Sequence, residues 1–333
     1  MRVFITGTAG FIGFHLARLL LDEGVCVGGY DGMTDYYDVS LKEARSTLLS
    51  AYPTYSESRG MLEDCAALDA AIDAFAPTVI VHLAAQAGVR YSLENPRAYI
   101  NGNIVGTFNV MEAALRHRVA HLLMASTSSV YGANTEMPFA ETHKADMPLT
   151  IYAASKKANE AMAHSYAHIH ALPTTMFRFF TVYGPWGRPD MAPIKFAKGL
   201  YSGTPIDIYN QNAMWRDFTY VEDLVRGIRG LIDAVPGGPD TAVDGDSLSP
   251  AAPYRVVNIG NSDKVRLLDF IEALETSSGK TALRNYMDMQ PGDVPATWAD
   301  ASLLHRLTGY RPNTPVTEGV ARFITWYEEY YRP

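Results

Sequence analysis

Cysteine is scarce in this chain of 333 residues: Cys26 and Cys65 are the only two, too few for a disulfide framework or a cysteine-built metal site. Cys26 lies in an apolar run and reads as a small buried hydrophobe. Runs of basic residues are missing too. The formal net charge is -8, from 28 Lys and Arg against 36 Asp and Glu. That leaves no electrostatic footprint for nucleic acid or an anionic membrane, although a few local arginines can still hold a diphosphate. No apolar stretch approaches the ~20 residues that span a bilayer. The apolar N-terminus is broken by glycines that belong to a motif rather than to a signal peptide. There is no internal repeat. These absences point to the cytoplasm and exclude nucleic acid, membrane and metal as expected partners. What is present, 47% hydrophobic and 19% charged residues, suffices for one large globular domain or two lobes.

Short β-rich runs alternate with helical patterns through the first half: Val3–Thr6, Val25–Tyr30, Thr78–His82, His121–Ala125 and Thr174–Phe179. Alternation of this kind predicts an α/β fold, a doubly wound parallel sheet covered by helices on both faces. Phe11–Asp22, Ala98–Arg116 and Ile151–Ile169 carry the helical spacing. After about residue 180 the regularity breaks into turns at Tyr183–Pro189 and Ser202–Pro205, and Val256–Ile259 reads as a strand returning to the sheet. The division expected is a Rossmann-type domain over 1–180 plus about 254–262, and a smaller C-terminal lobe over about 181–253 and 263–333. Pro236–Pro253, rich in Gly, Pro, Asp and Ser without periodicity, is expected to be a mobile surface excursion.

The first strand runs through Gly7, Gly10 and Gly13 straight into a helix. Glycines in that context permit a tight turn and close approach of a pyrophosphate to the helix N-terminus. Asp31, at the end of the second strand, can accept from both hydroxyls of a ribose, and its charge repels a 2′-phosphate, so NAD is favoured over NADP. Tyr152 and Lys156 are one helical turn apart and share a face. An ammonium and a positive nicotinamide ring beside a phenol both favour phenolate, which makes Tyr152 a candidate base. Ser126, Thr127, Ser128 and Ser129 end the preceding strand, at the carboxyl edge where doubly wound folds bind ligands.

Taken together, the glycine triplet, this hydroxyl run and the Tyr152/Lys156 pair resemble the extended short-chain dehydrogenase/reductase family over nearly the whole chain. More narrowly, His82–Ser92 (HLAAQAGVRYS), Arg178–Ala192 (RFFTVYGPWGRPDMA), Arg216–Val221 (RDFTYV) and DYYDVSLK from Asp35 resemble UDP-glucuronate 4-epimerases. The resemblance implies Tyr152 as base on the sugar 4-hydroxyl, Thr127 as its hydrogen-bonding partner, and Lys156 on the nicotinamide ribose, lowering the tyrosine pKa. It implies cofactor contacts from Gly7, Gly10, Phe11, Ile12, Gly13, Asp31, Leu62, Leu83, Ala84 and Ala85. Contacts to a UDP-sugar are implied for Gln86, Arg90, Ser128, Ser129, Thr181, Arg188, Arg216 and Asp293. The helices at Ala98–Arg116 and Ile151–Ile169 resemble those of a four-helix dimer seam, so a homodimer is expected.

Two departures stand out. Met61 occupies the position where many relatives place an aspartate against the adenine, which leaves that contact to backbone groups of Leu62. Gln290 stands where some related epimerases carry an arginine toward the diphosphate, which shifts phosphate binding onto Arg188 and Arg216. The reaction follows from the pair after Thr127. Dehydratases of the family place Asp-Glu there and UDP-glucuronate decarboxylases a Glu at the second position, whereas Ser128 and Ser129 leave a 4-keto intermediate with nothing to divert it from reduction on its other face. Hydroxyl donors also suit a uronate carboxylate without adding like charge. The expected activity is NAD-dependent conversion of UDP-glucuronate to UDP-galacturonate. A UDP-glucose or UDP-N-acetylhexosamine 4-epimerase, and a non-catalytic NAD-sensing protein, stand as alternatives.

Overall fold

The computed structural model describes residues 1–290 and 292–332. Six strands, β1 (Arg2–Thr6), β2 (Cys26–Asp31), β3 (Tyr55–Arg59), β4 (Val79–His82), β5 (His121–Ala125) and β6 (Thr174–Phe179), are joined by Tyr254–Ile259 in one sheet. Its order is Tyr254–Ile259, β6, β5, β4, β1, β2, β3, and every pairing is parallel. The strand order reverses between β1 and β4, which opens the crevice where such sheets take ligands. β3 carries a polar pattern, YSESR, because an edge strand is half solvated, and that is why it lacks the apolar signal of its neighbours.

Alternate residues of β1 serve opposite faces. Val3 and Ile5 pack with α1 (Phe11–Asp22) and helix Val221–Asp233. Phe4 packs with α3 (Cys65–Phe75) and helices Gly106–Arg116 and Ile151–His170. Each fully buried Leu or Ile in these layers contributes about 1.5–3 kcal/mol. α2 (Val39–Ser50) and α3 start on aspartate caps, Asp38 accepting from the Ser40 amide at 2.9 Å and Asp64 from the Ala67 amide at 3.0 Å. α1 begins at Gly10 with no side-chain cap, so its first amides remain open toward the crevice.

The second lobe gathers around a separate core that includes Ile194, Phe218, Phe270 and Phe323. Its sheets are small: Thr181–Tyr183 with Phe218–Tyr220, Ile206–Ile208 with Arg284–Tyr286, and Trp215–Arg216 between Val265–Arg266 and Ala296–Thr297. Helix Val221–Asp233, inside the stretch expected to belong to this lobe, instead packs on α1 and the central sheet.

Two sequence expectations change in detail. The helix expected over Ala98–Arg116 widens into π-helical turns at Ile100–Val105. Within Pro236–Pro253 the later part is anchored: the Asp246 side chain takes a bidentate pair from buried Arg255 at 2.9 Å, and Ser249 meets His164 at 2.8 Å. No helix among the described residues is long and apolar enough to cross a membrane.

Candidate active site

A cleft of about 510 Å³ runs along the carboxyl edge of the sheet from Asp31 and Gly60 to Tyr152 and Lys156, within the range of small-molecule and cofactor sites. Its floor is the glycine turn. Gly7 has φ +84°, and a Cβ there would lie 2.8 Å from the Ala84 backbone nitrogen; a Cβ on Gly13 would lie 2.0 Å from the Gly7 carbonyl oxygen. Side chains are therefore excluded, and the uncapped α1 N-terminus is laid bare to an anion. At one end, Asp31 accepts from the amides of Ala9 at 3.0 Å and Met33 at 2.8 Å, using two of about four lone-pair sites and leaving the rest for donors in the cleft. Glycine cradle, open helix terminus and carboxylate together fit a dinucleotide. A buried chain, Thr6 to His82 at 2.7 Å and His82 to Thr107 at 3.0 Å, braces β1 and β4 beneath it.

At the opposite end Thr150 caps the helix that carries Tyr152 and Lys156, accepting from the Ala153 amide at 3.2 Å. Lys156 donates to the Ala125 carbonyl at 2.9 Å, and burial brings its ammonium down to about 8. Burial pushes the Tyr152 phenol above its ordinary range, opposed by a hydrogen bond with Thr127 and by the charge of Arg188. In this chain alone, then, the pull toward phenolate comes from Thr127 and Arg188.

Gly7, Gly10, Phe11, Ile12, Gly13, Asp31, Leu62, Leu83, Ala84, Ala85, Gln86, Thr127, Tyr152, Lys156 and Arg188 all line this cleft. Ser126 also does, but its hydroxyl is committed to buried Glu160 at 2.7 Å. Ser128 and Ser129 face a second, adjoining cavity of about 60 Å³ with Thr150 and Asn134. Thr181 lines neither cavity; its amide is bound to the Asp217 carbonyl at 3.0 Å. Arg90, Asp293 and Arg216 form a group apart: Arg90 pairs with Asp293 at 3.5 Å and lies over Tyr209, and Arg216 donates to the carbonyls of Trp215 and Pro295 at 2.8 and 3.3 Å. Met61 lines the cleft beside Leu62. The Leu62 carbonyl, however, is taken by Asn109 at 2.8 Å.

Several residues of this site were given no contact by sequence reasoning, although Lys42 closes the DYYDVSLK run. Lys42, buried and also lining the cleft, bonds the Thr34 carbonyl at 2.6 Å and hydroxyl at 3.0 Å. Glu63 presents a carboxylate oxygen without a protein partner at the Asp31 end. Asn103, in the π-helical turns, clamps both backbone groups of Gln86 at 2.8 and 3.0 Å and reaches Ser155 at 3.0 Å. The only sequence signal for Asn103 is a polar residue on an otherwise apolar helix face. No group of His, Cys, Asp or Glu among the described residues is arranged to hold a metal ion.

The family model described as the NAD dependent epimerase/dehydratase family matches residues 3–260. The chain belongs to that family. A probable UDP-glucuronate 4-epimerase of Rhizobium meliloti is 55% identical over 100% of this chain and 98% of its own length. Among solved structures, UDP-glucuronic acid 4-epimerase from Bacillus cereus, in complex with UDP-glucuronic acid and NAD, superposes with a TM-score of 0.88 at 30% identity, over 99% of each chain. UDP-glucose 4-epimerase of Thermus thermophilus in complex with NAD gives 0.84 at 26% identity, over 99% of this chain and 100% of that one.

Proposed function

We propose that the chain converts UDP-glucuronate to UDP-galacturonate by NAD-dependent 4-epimerisation through a 4-keto intermediate. The observation that carries this reading is the reacting corner of the cleft: Thr127, Tyr152 and Lys156 line it, Ser128 and Ser129 occupy the positions after Thr127, and Glu160 behind it is fully engaged by Arg178, Lys157 and Ser126. Beyond Tyr152 and Lys156, no carboxyl group among the described residues is left free in that corner to eliminate water or to assist loss of carbon dioxide. NAD, when bound, accepts the C4 hydrogen with its electron pair and returns it.

The residues of the chain do the rest. Tyr152 takes the proton from the 4-hydroxyl and gives it back, with Thr127 holding the hydroxyl in line. Lys156, tied to the Ala125 carbonyl at 2.9 Å and brought by burial to about 8, holds the nicotinamide ribose, while Thr127 and Arg188 supply the pull toward phenolate. Asp31 holds the adenosine ribose and disfavours NADP, with Lys42 beside it. Asp293 pairs with Arg90, and its charge also acts on half-buried Arg216. That cluster retains one net positive charge for the diphosphate; Arg188, on the cleft wall, is paired with Asp190, its Nε donating at 3.0 Å, and offers an anion its remaining N–H donor rather than a further net charge. The small cavity faced by Ser128 and Ser129 suits a group the size of a carboxylate. This reading keeps the two-lobe division, sheet half for NAD and second lobe for the nucleotide sugar.

We also read the protein as a cytoplasmic homodimer. Support comes from the large apolar side chains exposed along one face, Ile100, Val105 and Phe108 on one helical run and Ile151 and Ile169 on the next. The deciding experiment incubates the purified protein, without added NAD, with UDP-glucuronate, UDP-glucose and UDP-N-acetylglucosamine and separates the products by chromatography. UDP-galacturonate as the dominant product is expected. Faster turnover of a neutral hexose would replace the uronate reading.

A further inference from the structure

The loop Gly184–Arg188 carries Arg188 into the cleft wall, and its backbone is held from the other half of the molecule. Three consecutive carbonyls are captured. His15 of α1 meets the Pro185 carbonyl at 2.9 Å. Arg45 of α2 donates to the Trp186 carbonyl at 2.6 Å and the Gly187 carbonyl at 3.3 Å. The same guanidinium donates to the carbonyl of Ala9, inside the glycine turn, at 2.7 Å and to the Tyr37 hydroxyl at 3.0 Å. His15 is buried and its pKa is brought down to about 4, chiefly by that burial, so at neutral pH it is an uncharged ring whose Nε2–H serves Pro185.

Stability alone does not account for this arrangement. Arg178 and Arg255 are also buried, and each is matched by a carboxylate, Glu160 and Asp246. Arg45 is 0% exposed, its partners are carbonyls and a phenol, and its Nε has none. A buried guanidinium without a counter-ion is costly, and an apolar side chain would fill the space more cheaply. A second cost lies at the same point: Trp186 adopts φ +60°, a left-handed conformation unfavourable for a residue with a Cβ. The strained turn is kept by the Arg45 bonds and by its indole, wedged among Phe14, Trp326 and Tyr330 at centroid distances of 5.0–5.5 Å. Both costs produce one result, a fixed exit direction for the chain two residues before Arg188. An arginine is needed because its planar fork reaches two elements at once, which the single nitrogen of lysine cannot do.

We propose that Arg45, seconded by His15, is a positioning residue that locks the Arg188 loop to the glycine turn, so that the substrate anion is gripped in register with the cofactor site. The inference rests on the reading of Arg188 as an anion-binding residue.

The test is a double-mutant cycle by calorimetric titration with UDP-glucuronate on wild type, Arg45→Lys, Arg188→Gln and the double variant, with thermal melting and NAD content of the purified proteins measured alongside. Each single variant is expected to bind about tenfold more weakly, and the double variant also about tenfold rather than about a hundredfold, because both changes remove one interaction. Arg45→Lys that melts early yet binds with wild-type affinity would mean a structural role only and overturn the proposal, as would losses that multiply. Should Arg45→Lys not fold, His15→Ala removes the other tether: weakening confined to the background that retains Arg188 supports the proposal, and unchanged affinity overturns it. Wild-type affinity in Arg188→Gln removes the anion-binding reading and this inference with it. Binding by the wild type without epimerised product defeats the proposed reaction instead, since titration reads affinity and not turnover.

Discussion

The two halves of the molecule are held together by different means. In the sheet half, seven parallel strands stack side by side with helices packed on each face. The second lobe has only sheets of two or three short strands, and buried carboxylates stitch its loops together. Asp217, fully buried, accepts from the amides of Asn261, Ser262 and Ala299 at 2.8, 2.9 and 3.2 Å and from the Thr219 hydroxyl at 3.0 Å. Asp223 does the same for the amides of Asn313 and Thr314 at 3.1 and 2.8 Å and the Tyr310 hydroxyl at 2.7 Å. The sheet half therefore supplies a rigid edge for chemistry. The second lobe supplies a wall whose shape depends on a few polar nodes.

Variants can separate these contributions. The largest effect is expected at the sheet edge: Tyr152→Phe keeps the ring but not the proton acceptor, so kcat should fall about 10³- to 10⁴-fold with NAD content and melting temperature unchanged. Near-normal turnover would exclude Tyr152 as the base. Glu160→Gln, also in the sheet half, strands buried Arg178, whose two bonds to Glu160 are each 2.8 Å. A loss of about 3–5 kcal/mol in denaturant unfolding is expected, and a loss under about 1 kcal/mol would contradict an uncompensated buried charge there.

In the second lobe, Asp217→Asn turns an amide nitrogen toward backbone N–H donors and should cost about 1–3 kcal/mol. This carboxyl also carries a pH signature. Burial raises it to about 6 against hydrogen bonds that lower it, so the folded state holds a proton that the unfolded chain has released. The stabilisation is complete below the unfolded carboxyl range and is lost as pH rises through about 6. Asp217→Asn should flatten the stability curve across that window, and an unaltered curve would assign the effect to another group. Asp31→Ala is expected to reduce the NAD over NADP preference about tenfold in cofactor titrations, about 1.4 kcal/mol. Smallest is Ser128→Ala, which should slow epimerisation a few-fold while raising the share of turnovers that end as decarboxylated 4-keto-pentose, seen by product analysis. Lost rate without that product would mean that the Ser128 hydroxyl does not restrain the carboxylate.

What could be read directly from the chain has a local cause. A glycine triplet between a strand and a helix, a Tyr and Lys four residues apart, and apolar runs of period two or 3.6 all express themselves within a few residues, and Gly7, Gly10, Gly13, Asp31, Tyr152 and Lys156 meet along one cleft as that local logic implies. Where the signal was polar or nonlocal, only the folded chain decided. The hydroxyl run at Ser126–Ser129 reads as one feature, but the 3-10 turn beginning at Ser128 divides it between two cavities, Thr127 on the cleft and Ser128 and Ser129 on the small one, while the Thr127 and Ser129 hydroxyls stay in contact at 3.3 Å. Lys42 closes the DYYDVSLK run and Asn103 lies in the Ala98–Arg116 helix, but neither setting says what the side chain touches; each matters because packing delivers it to another backbone segment, Thr34 or Gln86. Arg45 is the extreme case: its partners Ala9 and Trp186 lie 36 and 141 residues away in sequence, and bringing them onto one guanidinium is a property of tertiary packing, because no spacing within a helix encodes a contact between two lobes.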